Sequence, residues 1–124
     1  VNAFFGWLVG TWAGVRREAA TGEERPMVVI VKSVLGGTGI LEEIEVDLGH
    51  DRKYHGLCLS VEEEDGWLMR YFNSARRPPA LLRFEDGAWV SEHSRLVYER
   101  VGEDGWRRSQ YRDGLLFEDE LKRS

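Results

Sequence analysis

Four Asp-Gly dipeptides, Asp65–Gly66, Asp86–Gly87, Asp104–Gly105 and Asp113–Gly114, punctuate the second half of a chain of 124 residues. Asp-Gly favours the type I′ turn, whose positive φ angles match the twist of a two-stranded ribbon. Three of the four lie in an echo, Glu64-Asp65-Gly66-Trp67, Glu85-Asp86-Gly87-Ala88-Trp89 and Glu103-Asp104-Gly105-Trp106, with an aromatic at the start of each outgoing strand. Turns this closely spaced leave room only for short antiparallel strands, and they constrain the fold more than any other feature.

Between the turns, runs with strand character fall at about 11–19, 26–34, 38–48, 54–62, 67–73, 79–84, 88–93, 96–101, 106–112 and 115–121. Residues 21–24 and 49–53 make further turns, and Arg76-Arg77-Pro78-Pro79 marks an edge or a bend. A short helix over 2–9 is expected, capped by Asn2 and ended by Gly10. No linker interrupts the series, so residues 1–124 read as one domain, long enough to bury a core of its own. An open sheet of about ten strands curls or splits, and closure removes its edges. The expected fold is therefore all-β, an antiparallel up-and-down barrel with a short N-terminal helix; a β-sandwich is the alternative.

Strand parity assigns the inner face. In 38–48, Ile40, Ile44, Val46 and Leu48 share a face with Glu42, opposite Glu43, Glu45 and Asp47. In 54–62 the apolar set is Leu57, Leu59 and Val61, and His55 joins it. A turn at Asp65–Gly66 pairs Val61 with Arg70 and Leu59 with Phe72, so Leu68, Arg70 and Phe72 are expected inside. A turn at Asp104–Gly105 pairs Gln110 with Glu99 and Arg112 with Val97, and one at Asp113–Gly114 pairs Leu115 with Arg112 and Phe117 with Gln110. The interior thus collects Glu42, His55, Arg70, Glu99, Gln110 and Arg112. Unpaired burial of so many polar groups is costly. They either pair internally, as Glu99 with Arg112, or line a wet cavity of the kind that holds a small molecule. The ligand-binding candidates are Glu42, His55, Arg70, Phe72, Glu99 and Arg112. Two inward guanidinium groups point to a small apolar ligand with a carboxylate.

The stretch Leu8-Val9-Gly10-Thr11-Trp12-Ala13-Gly14 resembles the opening of calycin-type barrels, among them lipocalins, fatty-acid-binding proteins and nitrobindins. Val34-Leu35-Gly36-Gly37-Thr38-Gly39-Ile40-Leu41-Glu42-Glu43 resembles a segment of uncharacterised bacterial barrels related to nitrobindin. The resemblance implies a helix closing one barrel end, a Gly-x-Trp entering the first strand, and a basic residue near the last strand over that tryptophan, here Arg108 or Arg112 against Trp12. It implies interior ligand binding. Nitrobindin-like members ligate haem through a C-terminal histidine, and the matching stretch here, 115–121, has none, so no haem or other cofactor is expected. Arg108-x-Gln110-x-Arg112 is similar in kind to the carboxylate-holding arginines of fatty-acid-binding proteins, without their Arg-x-Tyr spacing.

Composition narrows the other classes. The net charge is −5, which disfavours nucleic acid. The longest apolar run, 27–31, is too short to span a membrane as a helix. His50, His55 and His93 are scattered and the single Cys58 has no partner in the chain, so neither a zinc site nor a disulfide is expected. With no basic leader in residues 1–10, a cytoplasmic location is expected. There is no Gly-x-Ser-x-Gly, and Gly36-Gly37-Thr38-Gly39 leads into strand rather than helix, which removes a nucleophile elbow and a phosphate loop. Two alternatives to ligand binding stay open. One is an acid–base enzyme, an isomerase, cyclase or decarboxylase, using a buried carboxylate such as Glu42. The other is a homodimerising scaffold with Trp67, Met69 and Tyr71 exposed, unless the register there slips by one and they are core.

Overall fold

The strands pair in chain order and the last closes on the first, in a computed structural model that describes residues 3–75 and 77–124. They are β1 (Gly10–Glu18), β2 (Glu24–Val34), β3 (Gly39–Gly49), β4 (Arg52–Glu63), β5 (Gly66–Asn73), β6 (Ala80–Glu85), β7 (Ala88–Val90), β8 (Arg95–Val101), β9 (Gly105–Tyr111) and β10 (Leu115–Arg123). Every neighbouring pair is antiparallel, β1 with β10 included, so the meander is a closed barrel. A helix, α1 (Ala3–Leu8), precedes it. The capping Asn2 and the Arg76 of the Pro-rich stretch lie outside the described residues.

The turns explain where the sequence reading of the faces holds and where it fails. Asp86 and Gly87, with φ of 49° and 80°, make the expected two-residue turn, and Glu85 pairs with Ala88. His50 and Asp51, at 53° and 60°, do the same between β3 and β4. The β8–β9 connection instead spends three residues, 102–104, with Gly102 at a φ of 69°. This odd shift turns Glu99 outward against Arg107 and brings Tyr98 inward against Arg108. Similarly, 112–114 form a three-residue loop, so Arg112 stands in an exposed turn rather than on the inner face. A bulge between Leu115 and Phe117 then restores the expected pairing of Phe117 with Gln110.

In β4 and β5 the expected faces are inverted. The β4–β5 loop lies one residue early, so Val61 pairs with Leu68 and Leu59 with Arg70. Gly56, Cys58 and Ser60 point in, and on β5 so do Trp67, Met69 and Tyr71, with Met69 across from Ser60 and Tyr71 across from Cys58. Leu57, Leu59, Val61, Leu68, Arg70, Phe72 and His55 take the outside. The reason is volume. Large side chains from β5 fill the barrel interior, and β4 must supply small ones opposite them. The Trp67-Met69-Tyr71 stripe is core, and the exposed apolar face is that of Phe72 and, on β6, Leu81.

The helix plugs one end. Phe5 stacks on Trp89 at 5.6 Å between ring centroids and meets Trp67 edge-on at 4.9 Å. Trp12 is fully buried, and its indole donates to the Leu8 carbonyl at 2.8 Å. The basic cover over Trp12 is Arg123, 4.2 Å from the ring, and not Arg108 or Arg112. Arg123 also donates to the carbonyls of Trp7 and Val9 at the helix C-terminus, where backbone acceptors lack intrahelical partners. Closure of the barrel depends on Gly14. A Cβ there would lie 1.8 Å from the Glu120 carbonyl oxygen, so β1 and β10 touch backbone to backbone.

Candidate functional site

With the helix at one end, the turns 19–23, 50–51, 91–94 and 112–114 surround the other, which we call the mouth. Four charged side chains run inward from it along β1, β10, β9 and β3. Arg16 lies nearest the mouth, its guanidinium 3.7 Å above the Phe117 ring. It grips Asp119 with two bonds, Nε to Oδ1 at 2.8 Å and Nη2 to Oδ2 at 3.0 Å. Arg108 Nε donates to the same Asp119 Oδ2 at 2.9 Å. Arg108 Nη1 bonds Glu42 Oε1, and the Tyr98 hydroxyl donates to Glu42 Oε2 at 2.8 Å. Asp119, Arg108 and Glu42 are buried, at 0%, 1% and 4% exposure.

Strand register builds this chain. Phe117, Asp119 and Leu121 alternate inward on β10, and their partners are Gln110, Arg108 and Trp106 on β9. Trp12, Gly14 and Arg16 alternate inward on β1. Two arginines face two carboxylates, so the cluster is balanced in charge. That balance is what allows four ionised groups to sit inside a small barrel.

The surroundings act on the titrating groups in definite directions. Burial pushes the Cys58 thiol and the Tyr98 phenol well up, and the charge of Glu42 pushes both the same way. Both stay protonated at neutral pH. Burial also raises the Tyr71 phenol. For Arg108 burial works against the charge, but Glu42, then Tyr98 and Asp119, outweigh it and hold its pKa well above the ordinary value.

Beside the charge cluster, toward the mouth, lies a cavity of about 60 Å³. Ile44, Met69, Leu82, Leu96 and Phe117 give it apolar walls; Arg16, Cys58, Tyr71, Ser94, Arg108 and Gln110 supply the polar groups. Arg108 Nη2 is buried and has no hydrogen-bond partner among the described residues. The Nε atoms of Arg25 and Arg107 and the indole N–H groups of Trp89 and Trp106 are likewise buried without a partner among the described residues. Three larger hollows are on the surface: two, of about 430 and 410 Å³, are grooves on the outside of the sheet, and one of about 380 Å³ lies between Glu92, His93, Arg112 and Asp113 of the mouth turns.

Of the ligand-binding candidates, the structure brings only Glu42 to this site, while Gln110, also expected inside, lines the cavity. His55 and Phe72 line the outer groove, Arg70 and Glu99 are exposed on the outer face, and Arg112 is in a mouth turn. Arg16, Tyr98 and Asp119 were missed, and Arg108 was named only through the resemblance, as a cover over Trp12 or as one of the alternating arginines. Two of them were accessible by parity: Arg16 follows from an inward Trp12, and Asp119 from inward Phe117 and Leu121. Among the described residues, no group of three or more His, Cys, Asp or Glu is placed to hold a metal ion.

No family model matches the chain, and no curated protein matches it. Among solved structures, a protein described as a de novo designed fluorescence-activating β-barrel matches over 100% of this chain and 99% of its own, with a TM-score of 0.60 and 18% identity. At that identity the likeness shows the fold, a closed antiparallel barrel.

Proposed function

We propose that the barrel holds a small organic molecule in the mouth-side cavity. The observation that carries the reading is a largely apolar cavity toward the mouth, walled by Ile44, Met69, Leu82, Leu96 and Phe117, with Arg16, Tyr71 and Gln110 among its polar lining residues. Such a setting, apolar walls with a few convergent polar groups, is how small-molecule sites are built. The fluorescence-activating barrel of the same fold supports the reading. The carboxylate expected from sequence loses its supports, because Arg70 and Arg112 stand outside the cavity. The test fills the cavity. Equilibrium titration with an environment-sensitive fluorescent probe should show saturable one-to-one binding to the native chain. Ala80→Phe, at the cavity wall, should abolish binding while the far-ultraviolet circular dichroism stays native. Undiminished binding by a folded Ala80→Phe protein would place the probe elsewhere and refute the reading.

We also infer that residues 1–124 work as one calycin-like domain. The short helix plug, the Gly10-Thr11-Trp12 entry to β1 and the arginine over Trp12 support that kinship. Purified 1–124 that unfolds in two separate transitions would contradict it.

A second reading, self-association, is favoured by the outer face of β4 to β6. Phe72 and Leu81 there are 41% and 53% exposed. On the β5–β6 flank Arg70 and Arg83 make no ion pair among the described residues, while Glu43 and Glu45 lie on the β3 flank, each bridged to a lysine. A two-fold axis along β4 would set the β3 of one copy over the β5 of the other, acid side against basic side. Sedimentation should then show a dimer that Phe72→Lys converts to monomer, and a wild-type monomer at high concentration would dismiss the reading.

A further inference from the structure

The arginines divide by strand. Every arginine of β1, β2, β9 and β10 pairs with a carboxylate: Arg16 and Arg108 with Asp119, Arg17 with Glu24, Arg25 with Glu23, Arg107 with Glu99 and Arg123 with Asp104. Among the described residues, the arginines of β5, β6 and β8 pair with none. Arg100 turns back to the Gly102 carbonyl and the Trp7 ring. Arg70, Arg83 and Arg95 stand exposed on the outer face, and Arg77, in the segment leading to β6, is exposed and unpaired as well. The carboxylates of β5 to β8 are Glu85, at the plugged end of β6, and Glu99, which is bridged to Arg107. A chain with a net charge of −5 thus carries one cationic face.

Apolar side chains stand between these charges. Register sets Arg70 across from Leu81, and it lines up Leu68, Arg83, Val90 and Arg95 in one outward row over β5 to β8. Leu81 is the most exposed large apolar side chain of any described strand, and Phe72 is exposed on the neighbouring strand. We propose that this face docks on an anionic lipid surface, with the arginines on the phosphates and Leu81 and Phe72 in the acyl boundary. The proposal rests on neither reading above. Interfacial binding draws on buried apolar area together with attraction to anionic lipid, and the patch offers both. A guanidinium fork suits a phosphate. A nucleic acid would use the arginines but leave Leu81 and Phe72 wet. A second copy would offer Glu43 and Glu45, each already bridged to a lysine. Charges beyond about 8 Å are screened at physiological salt, so acidic residues on the far side of the barrel do not oppose docking.

The test is co-sedimentation of the native chain with vesicles of phosphatidylcholine alone and of phosphatidylcholine with phosphatidylserine, at pH 7. The protein should bind the mixed vesicles, ignore the neutral ones, and come off at high salt. An arginine near an anionic surface contributes about fivefold in affinity, so reversing its charge should cost about tenfold or more. Arg70→Glu and Arg83→Glu should each show that loss. Lys122→Glu, the same charge change on β10, should not. Leu81→Ser should weaken vesicle binding several-fold while leaving any binding to single-stranded DNA unchanged. All four positions are exposed, so circular dichroism and the Tm should stay native. Equal binding to neutral vesicles, tighter binding to DNA than to the mixed vesicles, vesicle binding that Arg70→Glu and Arg83→Glu leave intact, or a wild-type dimer that ignores the vesicles would each overturn the proposal. None of these outcomes bears on the interior cavity.

Discussion

Replacing Arg108 with methionine tests the buried charge cluster at its centre. The change removes the bonds to Asp119, Glu42 and the Tyr98 hydroxyl together. Asp119 keeps its two bonds to Arg16, but Glu42 keeps only that from Tyr98. A carboxylate at 4% exposure is then left without a cation, a situation that costs about 3–5 kcal/mol. An unfolding entropy of about 2.1 cal/mol/K per residue gives about 0.26 kcal/mol/K for the chain, so the Tm should fall by roughly 12–19 °C. The diagnostic step is the double variant. Adding Glu42→Gln removes the stranded charge, so Glu42→Gln/Arg108→Met should be more stable than Arg108→Met alone, even though Glu42→Gln by itself destabilises. Thermal and urea unfolding followed by circular dichroism, read as a double-mutant cycle, measures the coupling. Effects that add within about 0.5 kcal/mol would show that Arg108 and Glu42 do not meet in the interior and would refute the cluster.

Three further outcomes follow from the packing. Trp12→Ala empties a fully buried site beneath Arg123 and should cost about 3–5 kcal/mol, seen as a lower urea midpoint; near-native stability would mean the plugged end is not packed as described. Gly14→Ala drives a methyl into the Glu120 backbone and should cost about 3 kcal/mol or more, at the upper end of overpacking effects, with β1–β10 amide protons losing exchange protection first. Stability should also decline in alkali. The unfolded chain releases the Cys58 and Tyr98 protons near their ordinary values of 9.0 and 10.0, while burial and Glu42 hold them in the fold. The stability they contribute is therefore complete below about pH 9 and is lost as pH rises beyond it. A Tm profile from pH 8 to 11 should fall, and less steeply in Cys58→Ala; a flat profile would contradict the burial of these groups.

The strands were legible because turn residues are local. Asp86–Gly87, Gly49–His50–Asp51 and the loop before Leu115 fix where the chain reverses, whatever packs around them. The faces of β4 and β5 were not legible, because their outer side is as apolar as their inner side. Leu57, Leu59, Leu68 and Phe72 alternate like a core, and the residues that do face in include Gly56, Cys58 and Ser60, whose virtue is smallness rather than hydrophobicity. Volume complementarity across a closed barrel is a tertiary property that no single strand reveals. Loop length had the other large effect: one extra residue at 102–104 exchanged Glu99 for Tyr98 and so removed one expected partner and added another. Glu42 was found because its strand alternates cleanly. Asp119 shares a face with Phe117 and Leu121, and the same logic applied to β10 would have placed it, and through the Phe117–Gln110 pairing would have placed Arg108 beside it.

The interior site is tested most directly by a crystal structure of the protein equilibrated with the probe used in the titration. Density for the probe is expected at the mouth-side cavity, against Leu82, Leu96 and Phe117. Density only in the outer groove beside His55 and Phe72, or an interior packed with no cavity there, would contradict the reading.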